Sequence, residues 1–293
     1  MLRADGIEHE PRADPPWQPE VSVVVPLPDH RGAALECVQS FVRDQTYPRG
    51  RFEMIVLSDG SDPALDDRVK ALLGPQDQIV THRTTNLYLL YHLGALEAKG
   101  KLIFITEPHC IAEPTCLEEL TTFFDTRDYD GACCSSTGIC VNAWARVERR
   151  YSDATFQVFS QPGHWRKVFW KGFAIHRDVY LEEGGLEPQF SRFSECVLGA
   201  KLHSRGRRLG YATRATVRHK NLTSPFRLFP FIRAFSRGEC TYRAAAPAEY
   251  CERYFGYVEE WTQREAFRPV LARVLCRAVL WSLVGEMARN RRW

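Results

Sequence analysis

The chain lacks the regular cysteine spacing of a disulfide framework. It has ten cysteines in 293 residues, but no Cys-x-x-Cys pair, and two of the ten, Cys133 and Cys134, are adjacent. A small disulfide-stabilised secreted domain is therefore excluded. Because no secretory signal is apparent either, we expect reduced and mostly buried thiols in a cytoplasmic protein.

A long uncharged apolar run is also missing. The best candidate, residues 269–285, is interrupted by Arg273 and Arg277. A membrane-spanning helix needs roughly 18 or more apolar residues, so no segment is predicted to cross a bilayer. The apolar content of 44% is still ample for a globular core.

Acidic residues are scarce in the carboxyl third of the chain. Residues 201–293 carry 19 Arg and Lys against 7 Asp and Glu, whereas residues 1–200 carry 20 against 29. The two parts thus have net charges of +12 and −9. A basic lobe suits a diphosphate, an anionic membrane surface or nucleic acid, unless it is a solvated surface rich in arginine. No nucleic-acid recognition motif accompanies the charge, so we expect no nucleic-acid partner.

The first half of the chain has a strand-helix-strand pattern. Residues 1–20 are polar and rich in proline and predict a flexible leader. The valine run 21–25 predicts a buried strand, 33–43 has helical spacing, and 52–57 predicts a second strand. A βαβ unit of this kind favours a parallel sheet.

Polar residues follow the most apolar strand of the chain. The run 102–105 predicts a buried strand, and Glu107 and His109 come directly after it. In open α/β sheets ligands bind in the crevice outside the carboxyl ends of the strands. These two residues are therefore the first candidates for a binding site.

A second group of polar residues, Ser58, Asp59 and Gly60, follows the strand at 52–57. A carboxylate at the end of a strand can accept hydrogen bonds from a base N–H or a ribose hydroxyl, and glycine permits the tight turn that exposes it. The alternative is that Asp59 only caps the next helix, as Asp residues often do.

Five segments of the chain have a recognisable order and spacing. They are VSVVVPLPDH, DQTYP, IVLSDGSD, the stretch from Ala98 to Leu120, and KGFAIHRDVYLEEGGLEPQFSRFSECVLGAKLHSRGRRLGY. Taken together, they resemble the motifs of the family 2 nucleotide-sugar glycosyltransferases.

The resemblance covers residues 20–240 and implies an α/β protein of GT-A fold, with a Rossmann-like, mostly parallel central sheet flanked by helices. We expect a leader at 1–20, a GT-A domain at 21–240 and a helical extension at 241–293. The nucleotide half of the domain would be 21–130 and the acceptor half 131–240.

The resemblance also implies roles for individual residues. The acidic pair of the family matches Ser194 and Glu195 here, so Glu195 is the expected general base. Its place at a helix start would favour the ionised form, although a plain helix-terminal charge is the alternative interpretation. The residues expected to contact the nucleotide are Pro26, Ser58, Asp59 and Glu107.

The metal motif of the family is altered in this chain. Glu107 and His109 occupy its two aspartate positions, and His219 matches its late histidine. These three residues would bind a divalent cation, Mn²⁺ or Mg²⁺, and the nitrogen ligands favour Mn²⁺. If no metal is used, Arg218, Lys220 and the arginines as far as Arg237 would neutralise the diphosphate instead.

Aromatic residues are concentrated in two segments. Those between 144 and 170, including Trp170, suit stacking on sugar faces or a place in the core. Those at 226–235 and the final helix predicted from 268 are mixed with arginine. This mixture suits a peripheral helix on an anionic membrane, or one packed on its own domain or on a second subunit.

The sequence thus predicts a transferase that moves a sugar from a nucleoside-diphosphate sugar to a hydroxyl acceptor, which would be a carbohydrate, a lipid-linked compound or another hydroxyl compound. Inversion of configuration is expected because the family inverts. The alternative is a catalytically silent GT-A-fold protein that binds a nucleotide or glycan. That interpretation rests on the departures at Ser58 and in the Glu107-x-His109 motif.

Overall fold

A computed structural model of the protein describes residues 17–29, 31–166, 168–224 and 227–255. The final helix predicted from 268 and residues 1–16 of the predicted leader lie outside these ranges. Residues 17–20 are attached to the domain, since the Trp17 indole donates to the Gly50 carbonyl at 2.6 Å. The backbone of Glu20 likewise donates to Arg51 at 2.7 Å.

The described residues form an eight-stranded sheet with the strand order β3-β2-β1-β4-β7-β6-β8-β5. Six strands run in one direction, and β7 and β5 run opposite to their neighbours. The mostly parallel sheet predicted from the sequence is confirmed. The strands are β1 Val21–Pro26, β2 Phe52–Ser58, β3 Gln78–Thr81, β4 Leu102–Ile105, β5 Cys110–Ala112, β6 Gly131–Ile139, β7 Phe173–His176 and β8 Leu209–Lys220.

Nine α-helices in the described ranges flank this sheet. Asn86 caps α3 by accepting from the Tyr88 backbone at 3.1 Å, and Asp62 caps α2 by accepting from Leu65 at 3.0 Å. The helices are α1 Ala34–Val42, α2 Pro63–Lys70, α3 Leu87–Glu97, α4 Cys116–Thr126, α5 Ala143–Phe159, α6 Arg177–Glu182, α7 Ser194–Ser204, α8 Leu228–Ala245 and α9 Ala248–Phe255.

Both faces of the sheet are buried, which explains the continuous apolar runs in β1 and β2. Alternate residues of a strand point to opposite faces. Val23 and Met54 therefore pack in one core layer with α1 and α4, whereas Val24 and Ile55 pack in the other with α3 and α7. A strand covered on both sides has no solvent face, so it lacks the polar alternation of an exposed sheet.

One edge of the sheet gathers polar residues from distant parts of the chain. The parallel strands β1, β2 and β4 all end there, and the antiparallel β7 begins there. The segments 27–29, 59–62, 106–109 and 170–172 therefore meet at a common edge, together with residue 31 and the end of β8. This edge positions the site.

The carboxyl end of the described chain packs on the domain itself. Helix α8 runs through residue 240, where the sequence predicted the start of an extension. Phe255 of α9 contacts Phe193 with ring centroids 4.9 Å apart, and both belong to an apolar cluster with α7. None of the described helices has the length and apolar content that a membrane span needs. The predicted peripheral membrane contact and cytoplasmic location stay predictions.

Candidate active site

A cleft of about 940 Å³ opens at the carboxyl edge of the sheet. Its lining comes from the ends of β1, β2 and β4, from the start of α3, and from the segment before α7. Ser191 in that segment has a φ of 48°, which strains a residue other than glycine. The polar residues of the lining are Asp29, Arg31, Asp59, Thr84, Thr85, Asn86, Tyr88, Glu107, His109, Gln189, Ser191, Arg192 and Arg227.

Asp59 lines this cleft, and its carboxylate does not cap the following helix. Oδ1 accepts from the Ser61 backbone at 2.9 Å and from the Ser61 hydroxyl at 2.6 Å, which fixes the turn. Gly60 has a φ of 75°, which a side chain would strain. The cap of α2 is Asp62, so the alternative role considered for Asp59 is wrong.

The structure does not bring Ser58 to the cleft. Its side chain is buried, donates to Asp66 Oδ2 at 2.6 Å and accepts from the Gly60 backbone at 2.9 Å. Since the hydroxyl is used within the turn, the predicted contact of Ser58 with a nucleotide is not supported. Pro26 ends β1 with a buried side chain and does not line the cleft either.

Glu107 lies at the centre of a buried ionisable cluster. Its Oε2 is 3.3 Å from His109 Nε2 and 3.4 Å from His219 Nε2. The opposite nitrogen of His109, Nδ1, is 3.4 Å from Asp29 Oδ1. Burial alone would raise the carboxylate pKa values, but the two histidines hold that of Glu107 well below its usual range. His109 likewise lowers the pKa of Asp29 to about 2.

Arg31 approaches the same cluster from the loop after β1. Its Nη1 lies 3.2 Å from His219 Nε2 and donates to the Lys220 carbonyl at 2.5 Å, while Nη2 is 3.5 Å from Glu148. Burial, together with the charge of Lys171, holds the pKa of His219 well below its usual range, so its imidazole is neutral.

The contacts of His219 indicate whether a divalent cation can bind between this residue and Glu107. A neutral Nε2 with a lone pair can accept from Arg31, but it then faces the Glu107 oxygen with no proton between them. A protonated Nε2 would satisfy Glu107 and oppose Arg31. A cation between Glu107 and His219 would use both the lone pair and the carboxylate, and neutral imidazole is the form that binds metal. Ligand atoms of Glu107, Cys110 and His219 lie within 4.8 Å of one another, and the two His109 nitrogens lie 3.3 and 3.4 Å from carboxylate oxygens without the geometry of a hydrogen bond. This group can hold a metal ion.

A smaller cavity of about 150 Å³ adjoins the cleft. Arg31, Glu107 and Arg192 line both, so they mark the junction. The remaining polar lining of the smaller cavity is Glu148, Ser152, Arg166, Lys171, Glu195 and His219, with Trp170 and several phenylalanines between them.

Glu195 lies in the first turn of α7 and lines the smaller cavity. The Tyr88 hydroxyl, from the opposite helix α3, donates to its Oε1. Burial raises the pKa of Glu195 to about 7, against the lowering effect of this hydrogen bond. The sequence-based expectation of a fully ionised Glu195 is therefore wrong, because burial outweighs the helix dipole. A pKa near neutrality suits a general base, since it can both bind and release a proton.

Of the residues predicted to neutralise a diphosphate, Arg227 lines the larger cleft, but the other named residues lie elsewhere. Arg218 is 49% exposed and pairs with Glu113 at 3.2 Å, because neighbouring residues of β8 alternate in direction and His219 points inward. Lys220 donates to the Gly32 carbonyl at 3.3 Å. Arg237 is exposed on α8. None of these three lines either cavity, so the cations at the junction are Arg31 and Arg192 instead.

Five functional candidates were not found from the sequence. Asp29 and Arg31 follow the predicted first strand, so their place at its carboxyl end was a usable signal. Glu148 accepts from Asn221 at 3.2 Å and from the Leu222 backbone, which positions it against Arg31. Glu148, Lys171 and Arg192 carried no local signal, because tertiary packing alone brings them to the cavity.

Comparisons with known proteins identify the family and the fold. The family model described as Glycosyl transferase family 2 matches residues 22–184. A structure of Staphylococcus aureus TarS 1–349 in complex with UDP aligns with a TM-score of 0.56 at 13% identity, over 92% of this chain and 91% of that one. The mannosyltransferase PcManGT from Pyrobaculum calidifontis, in complex with GDP-Man and Mn²⁺, aligns with a TM-score of 0.58 at 14% identity, over 94% and 75%. No curated protein matches by sequence.

The structural likeness covers almost the whole chain and shows the fold, which is that of GT-A glycosyltransferases. The family match covers more than half of the chain and includes the strands that carry Asp59 and Glu107. The protein is therefore a glycosyltransferase of GT-A fold that belongs to glycosyl transferase family 2.

Proposed function

We propose that the protein transfers a sugar from a nucleoside-diphosphate sugar to a hydroxyl acceptor with inversion. The observation that carries this proposal is the pair of adjoining cavities. The larger one has Asp59 in its lining and the smaller one has Glu195, and they meet at Glu107, Arg31 and Arg192. A donor and an acceptor bound in the two cavities would meet at that junction.

The larger cleft suits the donor. The Asp59 carboxylate keeps Oδ2 available for a base N–H or a ribose hydroxyl, since both of its bonds with Ser61 use Oδ1. The nucleotides bound by the two structural neighbours, UDP and GDP-Man, support a nucleotide-linked donor. The cleft volume of about 940 Å³ is at the upper end of the range for cofactor and ligand sites.

Glu195 would act as the base for the acceptor. Its carboxylate takes the proton of the acceptor hydroxyl, whose oxygen forms the new bond to the anomeric carbon. The bond from that carbon to the diphosphate breaks, and the electron pair leaves with the diphosphate. Attack on the face opposite to the departing group inverts the configuration.

The leaving diphosphate needs a positive centre. Glu107 and His219, with His109 beside them, would hold a divalent cation, and the nitrogen ligands favour Mn²⁺. When bound, such an ion offsets the negative charge that develops on the diphosphate. Arg31 and Arg192 add fixed positive charge at the same place.

Nucleotide binding tests the proposal. A ligand that binds only the native state raises the melting temperature by mass action. UDP or GDP at millimolar concentration should raise it in the presence of Mn²⁺, and the matching nucleoside should raise it less. The absence of a shift with every nucleoside diphosphate would contradict a donor site in the larger cleft.

A further inference from the structure

Cationic side chains line the smaller cavity beside Glu195. Among the described residues, Arg166 and Lys171 line this cavity alone, whereas Arg31 and Arg192 are shared with the larger cleft. The aromatic residues of the lining supply the surface on which a sugar ring can rest.

Lys171 is a cation of this lining that forms no ion pair with an acid among the described residues. Its ammonium donates to the Ser152 hydroxyl at 2.8 Å. The two carboxylates whose charge acts on it, Glu148 and Glu107, pair in the described part of the chain with Arg31 and with two histidines. Burial lowers the pKa of Lys171 against the raising effect of these two carboxylates, and the described residues provide no direct counter-ion. An anionic ligand would supply one.

Trp170 provides a second, independent indication. Its side chain is 2% exposed and lines the same cavity, but the indole N–H has no hydrogen-bond partner in the described residues. A buried donor without a partner costs free energy unless a ligand or water completes it. Because residues 170 and 171 are adjacent in the chain, the Trp170 indole and the Lys171 ammonium lie on the same side of the cavity, and both can donate further hydrogen bonds to a ligand.

Lys171 and Trp170 line only the smaller cavity, whereas Arg31 and Arg192 line both. The diphosphate of a donor in the larger cleft therefore has its own cations at the junction. A volume of about 150 Å³ holds about ten water-sized positions. That is roughly the size of one hexose unit.

We propose that the acceptor is an anionic hydroxyl compound, a sugar or polyol bearing a carboxylate or phosphate, and that Lys171 and the Trp170 indole N–H bind its anionic group beside Glu195. This inference rests on the proposed function, since it specifies the acceptor of that transfer.

The test compares neutral and anionic probes. Methyl glucoside, methyl glucuronide and glucose 6-phosphate are titrated by calorimetry into the protein saturated with UDP and Mn²⁺. One of the two anionic probes should bind at least about tenfold more tightly than methyl glucoside, and which one does so distinguishes a carboxylate from a phosphate. Equal binding of all three, or no binding of either anion, would overturn the inference.

Two variants test whether Lys171 causes the preference for the anionic probe. Lys171→Gln should remove this preference and Lys171→Arg should retain most of it, whereas the UDP affinity of both variants should stay within about twofold of wild type. Lys101→Gln is the matched control, because Lys101 is exposed just before β4, at the opposite edge of the sheet. Loss of the preference in that control would mean that general surface charge attracts the probes.

Two outcomes separate this inference from the proposed function. If wild type does not bind UDP or GDP, the donor site itself is contradicted. If UDP binds but Lys171→Gln weakens it more than tenfold, Lys171 belongs to the donor diphosphate and the acceptor assignment fails.

Discussion

The hydrogen bond between Tyr88 and Glu195 sets the pH at which the transferase should work. The pKa of Glu195 is about 7, raised by burial and lowered by the Tyr88 hydroxyl. Tyr88→Phe removes the hydroxyl and keeps the ring that lines the cleft. Hydrogen bonds to charged groups contribute about 1.5–3 kcal/mol, which corresponds to about 1–2 pH units. The half-maximum of kcat/KM should move from pH about 7 to pH about 8–9.

The expected activity follows from the ionised fraction. At pH 7 about half of Glu195 is ionised in the wild type, whereas only about 1–10% of it would be ionised in Tyr88→Phe. Activity at pH 7 should therefore fall about 5- to 50-fold and recover near pH 9. Glu195→Gln should be lower by about 100- to 10,000-fold at every pH, because a general base is absent.

Tyr91→Phe is the matched control. The Tyr91 hydroxyl is buried on the same helix as Tyr88, but it has no hydrogen-bond partner in the described residues. Its removal should leave the midpoint of the profile within about 0.3 pH units of wild type, since no bond to the Glu195 carboxylate is lost. Initial rates of donor turnover from pH 5.5 to 9.5 measure all four proteins. An unchanged midpoint in Tyr88→Phe would refute the reasoning.

Three further changes test other parts of the structure. Asp59→Asn should raise the UDP dissociation constant about tenfold by calorimetry, whereas Asp62→Asn, which alters only the cap of α2, should leave it within twofold. His109→Asp should shift the preference for UDP binding from Mn²⁺ toward Mg²⁺ if an ion is held there. If no ion is held, the new carboxylate should weaken UDP binding when a chelator is present. Equal UDP affinities of wild type and His109→Asp in every condition would mean that residue 109 faces away from the donor. Gly94→Ala should lower stability by about 1–3 kcal/mol in urea unfolding, because a Cβ there would come within 2.6 Å of the Val24 side chain.

Stability should also depend on the pKa of Glu195. The pKa of Glu195 in the folded protein, about 7, lies above the ordinary value of 4.5. The contribution of this side chain to the free energy of unfolding is therefore fully present below pH 4.5 and is lost as pH rises through 7. Glu195→Gln should therefore melt a few degrees above wild type at pH 8 and close to wild type at pH 4.5. A higher melting temperature of equal size at both pH values would exclude this linkage.

The parallel half of the fold could be predicted from the sequence because its strands are covered on both faces. The runs at 21–25, 52–57 and 102–105 are apolar almost throughout, and each ends close to where the structure ends β1, β2 and β4. The carboxyl-edge rule predicted that Glu107 and His109 lie in a crevice at the end of the sheet, and both line the larger cleft, together with Asp59.

The rest of the site depends on packing between distant segments. The short β5 was not predicted, and its three residues become a strand by pairing with β8. The raised pKa of Glu195 comes from burial, and its closest partner, Tyr88, is 107 positions away in the chain. No local pattern around Glu195 contains that information. The outward direction of Arg218, in contrast, followed from strand alternation once His219 pointed inward.

The central claim is that this transferase inverts the sugar with Glu195 as its base. Donor hydrolysis, in which water replaces the acceptor, tests it without knowledge of the acceptor. A panel of α-linked UDP-sugars and GDP-mannose is incubated with wild type and Glu195→Gln in the presence of Mn²⁺, and proton NMR follows the anomeric signal of the released sugar. The account predicts that the β-anomer appears first with wild type and that the variant releases at least about 100-fold less sugar. The α-anomer as first product, or equal release by the variant, would contradict it.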